Sequence, residues 1–401
     1  MSGSGLEVSK NPKTKLPNFY LEPNQLYRLP KTYSNLDYVF DNNSATESKF
    51  FPILLWEWQK ALKIGGKIIV NVSNFDNLLI LPQDFQALCC FYLRDSMLID
   101  KITEDNNTYL VFNKKAHSVD SSESITFGII TKGGRDEVID SCIESIFDEK
   151  IPQYEIIVCG TYSGKYLKNI KYLPFSEFDN FGWITKKKNL ICESAKYENL
   201  VIFHDRYKLR SGWYEGFKKF GFEYDLLINY KLTYDDVRDF DWITIVGNEN
   251  GLQEKLRAQV GLMDVRDWEG NYFINGPCVI IKKSIWKENK WDDRLFWSMY
   301  EDNYLSYHLQ INGVIPRFNP YSAFEALIDR DKNKYKLTRP VMEVAFSKYN
   351  KSQPKKLKYF FALQMFYLRS YVFNPSSYKK GATIIFSGFK NAVKSISLKF
   401  K

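Results

Sequence analysis

The sequence predicts an α/β fold: a mixed sheet with flanking helices, preceded by a small N-terminal α/β domain and followed by a basic, helical C-terminal tail. Short apolar runs suited to buried strands alternate with longer amphipathic runs suited to helices, first within 21–116 and again from 124 onward. Glycine pairs, Gly65-Gly66 and Gly133-Gly134, punctuate the junctions between runs. At 401 residues with 44% apolar, 16% aromatic and 26% charged side chains, the chain is long enough for two or three cores, and its composition excludes a disordered or collagenous protein.

Residues 1–20 are polar and proline-containing and read as a flexible arm. In 21–116, the run LDYVF (36–40) is a strand, LLWEWQKALKI an amphipathic helix, and KIIVNV a second strand beyond Gly65-Gly66. A helix follows over 82–93, and SMLIDKITEDNNTYLVFNKK reads as a hairpin around an Asp-Asn-Asn turn. Residues 117–123 form a Ser/Asp-rich linker. The next domain, 124–335, opens with the strand ITFGII, a Thr-Lys-Gly-Gly turn, the helix EVIDSCIESIFDE and the strand YEIIVCG. Ligands of such sheets collect at the carboxyl ends of the strands, so Thr131, Gly133, Gly160 and Thr161 are expected to line a pocket. The charged stretch 235–268 reads as a flexible loop over the acceptor of such a site.

The basic character belongs to the tail within 336–401. Net charge is +9, and the eleven Lys and Arg of 351–401, with no Asp or Glu, leave −2 for the remainder. Cations interleaved with large apolar residues there suit an anionic membrane surface. Nothing resembles a helix-turn-helix, zinc finger or RNP motif, so no nucleic-acid partner is expected. The apolar runs are too short to span a bilayer, and Met1-Ser-Gly-Ser-Gly lacks the pattern of a signal peptide, which places the expected location in the cytoplasm, peripheral at the inner membrane face. Six scattered cysteines without C-x-x-C spacing read as core residues, and three histidines argue against a His-based metal site.

Three later segments carry the chemistry. NFGWITKKKN (180–189) leads through a helix to a strand ending in His204-Asp205-Arg206-Tyr207; YFINGPCVII (272–281) places Gly276 in a loop before a strand; and Glu301-Asp302 opens a helix after Trp297. In this order and spacing the residues resemble the GT-A-fold glycosyltransferases, most closely the family 2 type, over about half the chain (124–330). The resemblance implies a Rossmann-like GT-A sheet, a nucleotide-diphosphate sugar as donor, and a glycan or lipid-linked acceptor, in surface polysaccharide or glycolipid synthesis.

It also implies roles. Thr131, Gly133, Gly160, Lys188, Asn189, Asp205 and Arg206 would bind the donor; Asp205 stands for the first Asp of the family's Asp-x-Asp motif and, with His204, would hold Mg or Mn. The second acidic position is Tyr207, a departure that puts the metal in doubt, and Arg206 is a cation able to bind phosphate instead. Asp302 is the preferred general base of an inverting transfer, with Glu301 second, and the helix N-terminus is expected to keep both ionised. Trp297 and Gly276 fall on the acceptor side; His308 reads as packing.

Residues 21–116 resemble the C-terminal half of a class I S-adenosylmethionine-dependent methyltransferase. The glycine-rich cofactor loop is not found, so the block reads as a truncated, non-catalytic relative. A methyltransferase, or an inactive nucleotide- or carbohydrate-binding protein, are the alternative classes.

Overall fold

The computed structural model describes residues 3–19, 28–73, 82–116, 121–246, 259–263, 265, 272–297 and 299–328. The tail expected to contact membranes, 351–401, lies outside the described residues, as do 117–120 of the linker. Among the described residues no helix is long and apolar enough to cross a membrane.

The first unit consists of β1 (Gly5–Val8), β2 (Leu36–Asp41), α1 (Phe51–Ala61), β3 (Leu62–Asn71), α2 (Pro82–Tyr92), β4 (Ser96–Glu104) and β5 (Asn107–Lys114). The sheet order is β1-β2-β3-β5-β4; the first three strands run parallel and β4–β5 form the expected hairpin. Part of the expected arm is therefore structured. Leu6 and Val8 are buried, and the Glu7 carboxylate accepts the Lys13 and Thr14 amides at 2.8 Å each. Four apolar-patterned residues are too few to signal a strand unless the parallel neighbour is known. Gly65-Gly66 falls inside β3 rather than before it, where a register shift opposite Leu36 accommodates the pair.

The second unit runs β6 (Ile125–Ile130), α3 (Asp136–Asp148), β7 (Tyr154–Gly160), β8 (Lys171–Pro174), α4 (Ile184–Ser194), β9 (Asn199–His204), β10 (Tyr207–Leu209), α5 (Trp213–Phe220) and β11 (Leu226–Leu232). It continues with β12 (Trp242–Val246), β13 (Gln259–Leu262), β14 (Tyr272–Ile274), β15 (Cys278–Lys282), α6 (Lys283–Glu288), α7 (Glu301–Ile311) and β16 (Pro316–Ala326). Its main sheet, β10-β16-β11-β15-β9-β6-β7-β8, is mixed: β9, β6, β7 and β8 are parallel, while β15 is antiparallel to both neighbours. This is the mixed α/β sheet with flanking helices that was expected. Within the stretch 235–268 expected as a loop, β12 and β13 pair antiparallel and, with β14, make a small second sheet on which Trp242 stacks against Tyr272 at 5.6 Å; residues 247–258, 264 and 266–268 lie outside the described residues.

The two units share a buried polar seam. Ten of the eleven residues of α1 are buried, as a helix covered on all sides must be. Its Glu57 bonds Arg317 at the start of β16 and lies 3.1 Å from Lys60 and 3.6 Å from Arg28. Burial alone raises this carboxyl, but the fields of Lys60, Arg317 and Arg28 outweigh it and hold Glu57 well below the usual carboxylate range. Gly313, at φ +67°, ends α7 where a Cβ would stand 2.7 Å from the Phe91 carbonyl oxygen. The turn leading from α7 into β16 is thus wedged against the first unit.

Candidate active site

The carboxyl ends of β6, β7 and β9 bring four of the expected residues together around Thr131. Its hydroxyl donates to Asp205 Oδ2 at 2.7 Å and accepts the Gly133 amide at 2.9 Å. Its carbonyl accepts from Lys187 Nζ at 2.6 Å, and Lys187 also pairs with Asp179. Gly160 has to be glycine here: at φ +138°, an added Cβ would lie 2.0 Å from the Thr131 oxygen. Gly133, at φ +93°, is similarly closed off by Thr161. Asp205, 9% exposed, also faces Arg135, whose Nη1 lies 3.6 Å from Oδ1.

A second constellation forms where α7 meets the loop before β15. The Gly276 amide donates to Asp302 Oδ2 at 3.2 Å, its carbonyl accepts from Lys188 Nζ at 3.0 Å, and Lys188 lies 3.5 Å from Glu301 Oε1. Burial pushes the Glu301 carboxyl up; the Lys188 cation opposes this and the Asp302 charge adds to it. The helix N-terminus was expected to hold Glu301 ionised, but desolvation is the larger effect. Asp302 is partly exposed, and its Oδ1 accepts the Asn303 amide at 2.9 Å.

The two constellations adjoin. β9 and β15 are antiparallel neighbours, so the end of one meets the start of the other, and the His204 amide donates to the Pro277 carbonyl at 3.0 Å. Asp205 follows His204, and Gly276 precedes Pro277. Trp297, 51% exposed, is tied to the 180–183 turn by its amide bond to the Gly182 carbonyl at 2.8 Å, with Phe296 stacked on Trp183 beside it. Phe178, Phe181, Met299 and Tyr300 add exposed apolar surface on the same two loops.

Two expected donor contacts are corrected. Lys188 is fully buried, with its ammonium committed to Gly276 and Glu301 and 5.3 Å from the centre of the Trp291 ring, so it serves the acidic pair. Asn189 donates to the Trp291 carbonyl and to Asp293 and accepts from Trp286 Nε1 at 3.0 Å; those bonds commit its side chain to packing α4. Gly276 clamps the acidic pair through its backbone. Arg206 lies with its guanidinium 5.3 Å from the centre of the Tyr207 ring, and its Nε is buried without a hydrogen-bond partner. His308 packs against Tyr304 with ring centres 4.5 Å apart, as expected. Arg135 and the Lys187–Asp179 pair went unread; the position of Arg135 just after Gly133-Gly134 at a strand's carboxyl end was the available signal.

The side chains around Asp205 do not fit Mg or Mn. A hard dication wants several oxygen ligands, whereas Asp205 gives one carboxylate, with one oxygen taking the Thr131 proton and the other facing a guanidinium. Tyr207, at the second acidic position, is 2% exposed and sits in the core. Among the described residues no three His, Cys, Asp or Glu side chains gather into a metal-binding group.

No family model matches the chain, and no curated protein matches it. Among solved structures it is similar to GalNAc-T7 with UDP, GalNAc and Mn2+, at 13% identity and a TM-score of 0.37 over 52% of this chain and 44% of that one. It is similar to TarS of S. aureus at 13% identity and a TM-score of 0.37, over 61% of this chain and 42% of that one. It is also similar to the inositol-1-phosphate CTP transferase of T. maritima at 11% identity and a TM-score of 0.33, over 56% of this chain and 98% of that one. The chain spans less than half the length of the first two.

Proposed function

We propose that the chain is a glycosyltransferase that moves a sugar from a nucleotide-diphosphate sugar to a hydroxyl of a glycan or lipid-linked acceptor with inversion, in surface polysaccharide or glycolipid synthesis. One observation carries the reading: the Asp205–Thr131 cluster and the Glu301–Asp302 pair adjoin where the carboxyl end of β9 meets the start of β15, joined through the His204–Pro277 hydrogen bond. Transfer needs both chemistries side by side. The leaving diphosphate gains charge that fixed donors and cations must meet, while the attacking hydroxyl must pass its proton to a base on the opposite face.

The Thr131–Gly133 loop and Asp205 form the donor side. Asp302 is the base, because it is the partly exposed member of the acidic pair; Glu301 is buried on Lys188 and holds the turn. Trp297 offers an exposed ring face for a pyranose on the acceptor side. Peripheral attachment to the inner membrane face through 351–401 belongs to this reading and rests on the composition of that segment alone. Incubation with a panel of UDP- and GDP-sugars, following nucleotide release with and without glycan acceptors, tests the proposal. Stabilisation and turnover with a nucleotide sugar support it; binding of S-adenosylmethionine and of no nucleotide sugar would replace it with the methyltransferase reading.

A further inference from the structure

We infer that Arg135, rather than a divalent metal ion, is the cation that meets the donor's diphosphate. The inference rests on the donor-site reading above and deepens it. The carboxylate that would anchor a metal already faces a positive charge, because Arg135 Nη1 lies 3.6 Å from Asp205 Oδ1. A dication bound to that oxygen would have to sit beside the guanidinium, against its repulsion, and the tyrosine at the second acidic position supplies no compensating charge.

Arg135 is also free to act. Among the described residues its guanidinium makes no hydrogen bond; its ion pair with Asp205 is longer than one, and its side chain is 43% exposed. Five N–H donors in a planar fork suit two phosphate oxygens at once. The residue follows Gly133 and Gly134, with φ of +93° and +73°, and stands at the N-terminal boundary of α3. Those glycines let the chain turn sharply out of β6 and bring position 135 back to Asp205.

Two of the competing cations are committed to acidic partners, and the third, Arg206, lies against the core at Tyr207. Lys187 is held by Asp179 and the Thr131 carbonyl, Lys188 is buried on Glu301, and the Arg206 guanidinium lies over Tyr207. Lys132 is exposed on the same loop, but no acidic partner among the described residues aims it at the site. Asp205 then acts as a positioning residue: its charge draws the guanidinium to the strand end, and the Thr131 hydroxyl fixes the carboxylate.

Calorimetric titration of the full chain with UDP and with GDP, in EDTA and then with Mn²⁺, tests this alongside Arg135→Met and Arg135→Lys. The wild type is expected to bind one of the two nucleotides equally well in both buffers and to turn over its nucleotide sugar in EDTA. Arg135→Met is expected to weaken nucleotide binding by about tenfold to a hundredfold, the range for a lost charge-assisted contact, with Arg135→Lys between them. Because position 135 is exposed, the melting temperature without nucleotide should not change. Nucleotide binding that requires Mn²⁺, or wild-type binding by Arg135→Met, overturns the inference and leaves the transferase reading standing. A wild-type chain that binds neither nucleotide in either buffer brings down the donor site itself.

Discussion

Lys188 Nζ, with no solvent exposure, lies 3.5 Å from Glu301 Oε1, and the same ammonium holds the Gly276 carbonyl at 3.0 Å. A buried cation is tolerated only where a carboxylate and further acceptors replace its water. Lys188 thereby fixes the turn whose amide bonds Asp302. Lys188→Met removes the charge that lowers the Glu301 carboxyl, so that group moves further up. We expect a loss of about 3 kcal/mol in stability, in the range for breaking a buried pair. Denaturant unfolding checks the loss; wild-type stability in the variant would show that the buried pair does not hold the turn.

Asp302 tests the chemical step alone. Asp302→Asn keeps an oxygen to accept the Gly276 amide but cannot take a proton at neutral pH. Turnover is expected to fall by at least about a hundredfold, while the dissociation constant for the nucleotide stays within about twofold. Near-normal turnover in this variant would move the base to another group.

The candidate site was half legible in the sequence, and the division has a physical cause. Thr131, Gly160 and Asp205 could be read because each sits at the carboxyl end of an apolar strand, where local pattern and ligand position coincide. The environment of Lys188 could not, because its partner lies at position 301, and a lysine within a KKKN run looks like a solvated helix face until burial is known. Asn189 misled for the same reason: three partners, at positions 286, 291 and 293, consume its side chain. In the fold, the apolar runs marked β6, β7 and β9 well, whereas β1 depends on pairing with β2 from a distant segment and β12–β14 are short and separated by charged stretches.

Asp41, at the end of β2, gives the first unit its own pH signature. Burial pushes its carboxyl up to about 8, against the opposing hydrogen bonds from the Ala45 and Ser44 amides. The folded protein therefore holds a proton that the unfolded chain, with an ordinary value of 3.8, gives up earlier. Stability from this group is fully present below about pH 4 and is lost as pH rises toward about 8, on the order of a few kcal/mol. Asp41→Asn, which cannot ionise, should flatten the fall of melting temperature across that interval. Equal slopes for wild type and variant would show that the carboxyl is not protonated in the folded state.

Glu57 decides whether the two units are one cooperative body. Arg317 is itself buried, and replacing Glu57 by leucine removes a carboxylate that bonds it, while Arg28 and Lys60 each retain Glu223 at 3.5 Å. Glu57→Leu should therefore destabilise by about 3–5 kcal/mol, and Glu57→Leu/Arg317→Leu by clearly less, because an apolar pair leaves no charge buried at that point. The same cycle reads out coupling to the site: Arg317 lies six residues beyond α7, whose terminal turn is wedged against Phe91, so loosening the seam should lower turnover through Asp302 while nucleotide affinity at Asp205 is kept. Urea unfolding followed by tryptophan fluorescence, with kinetics on the folded fraction, measures both effects. Additive single-variant losses would mean that Glu57 and Arg317 do not act as a pair.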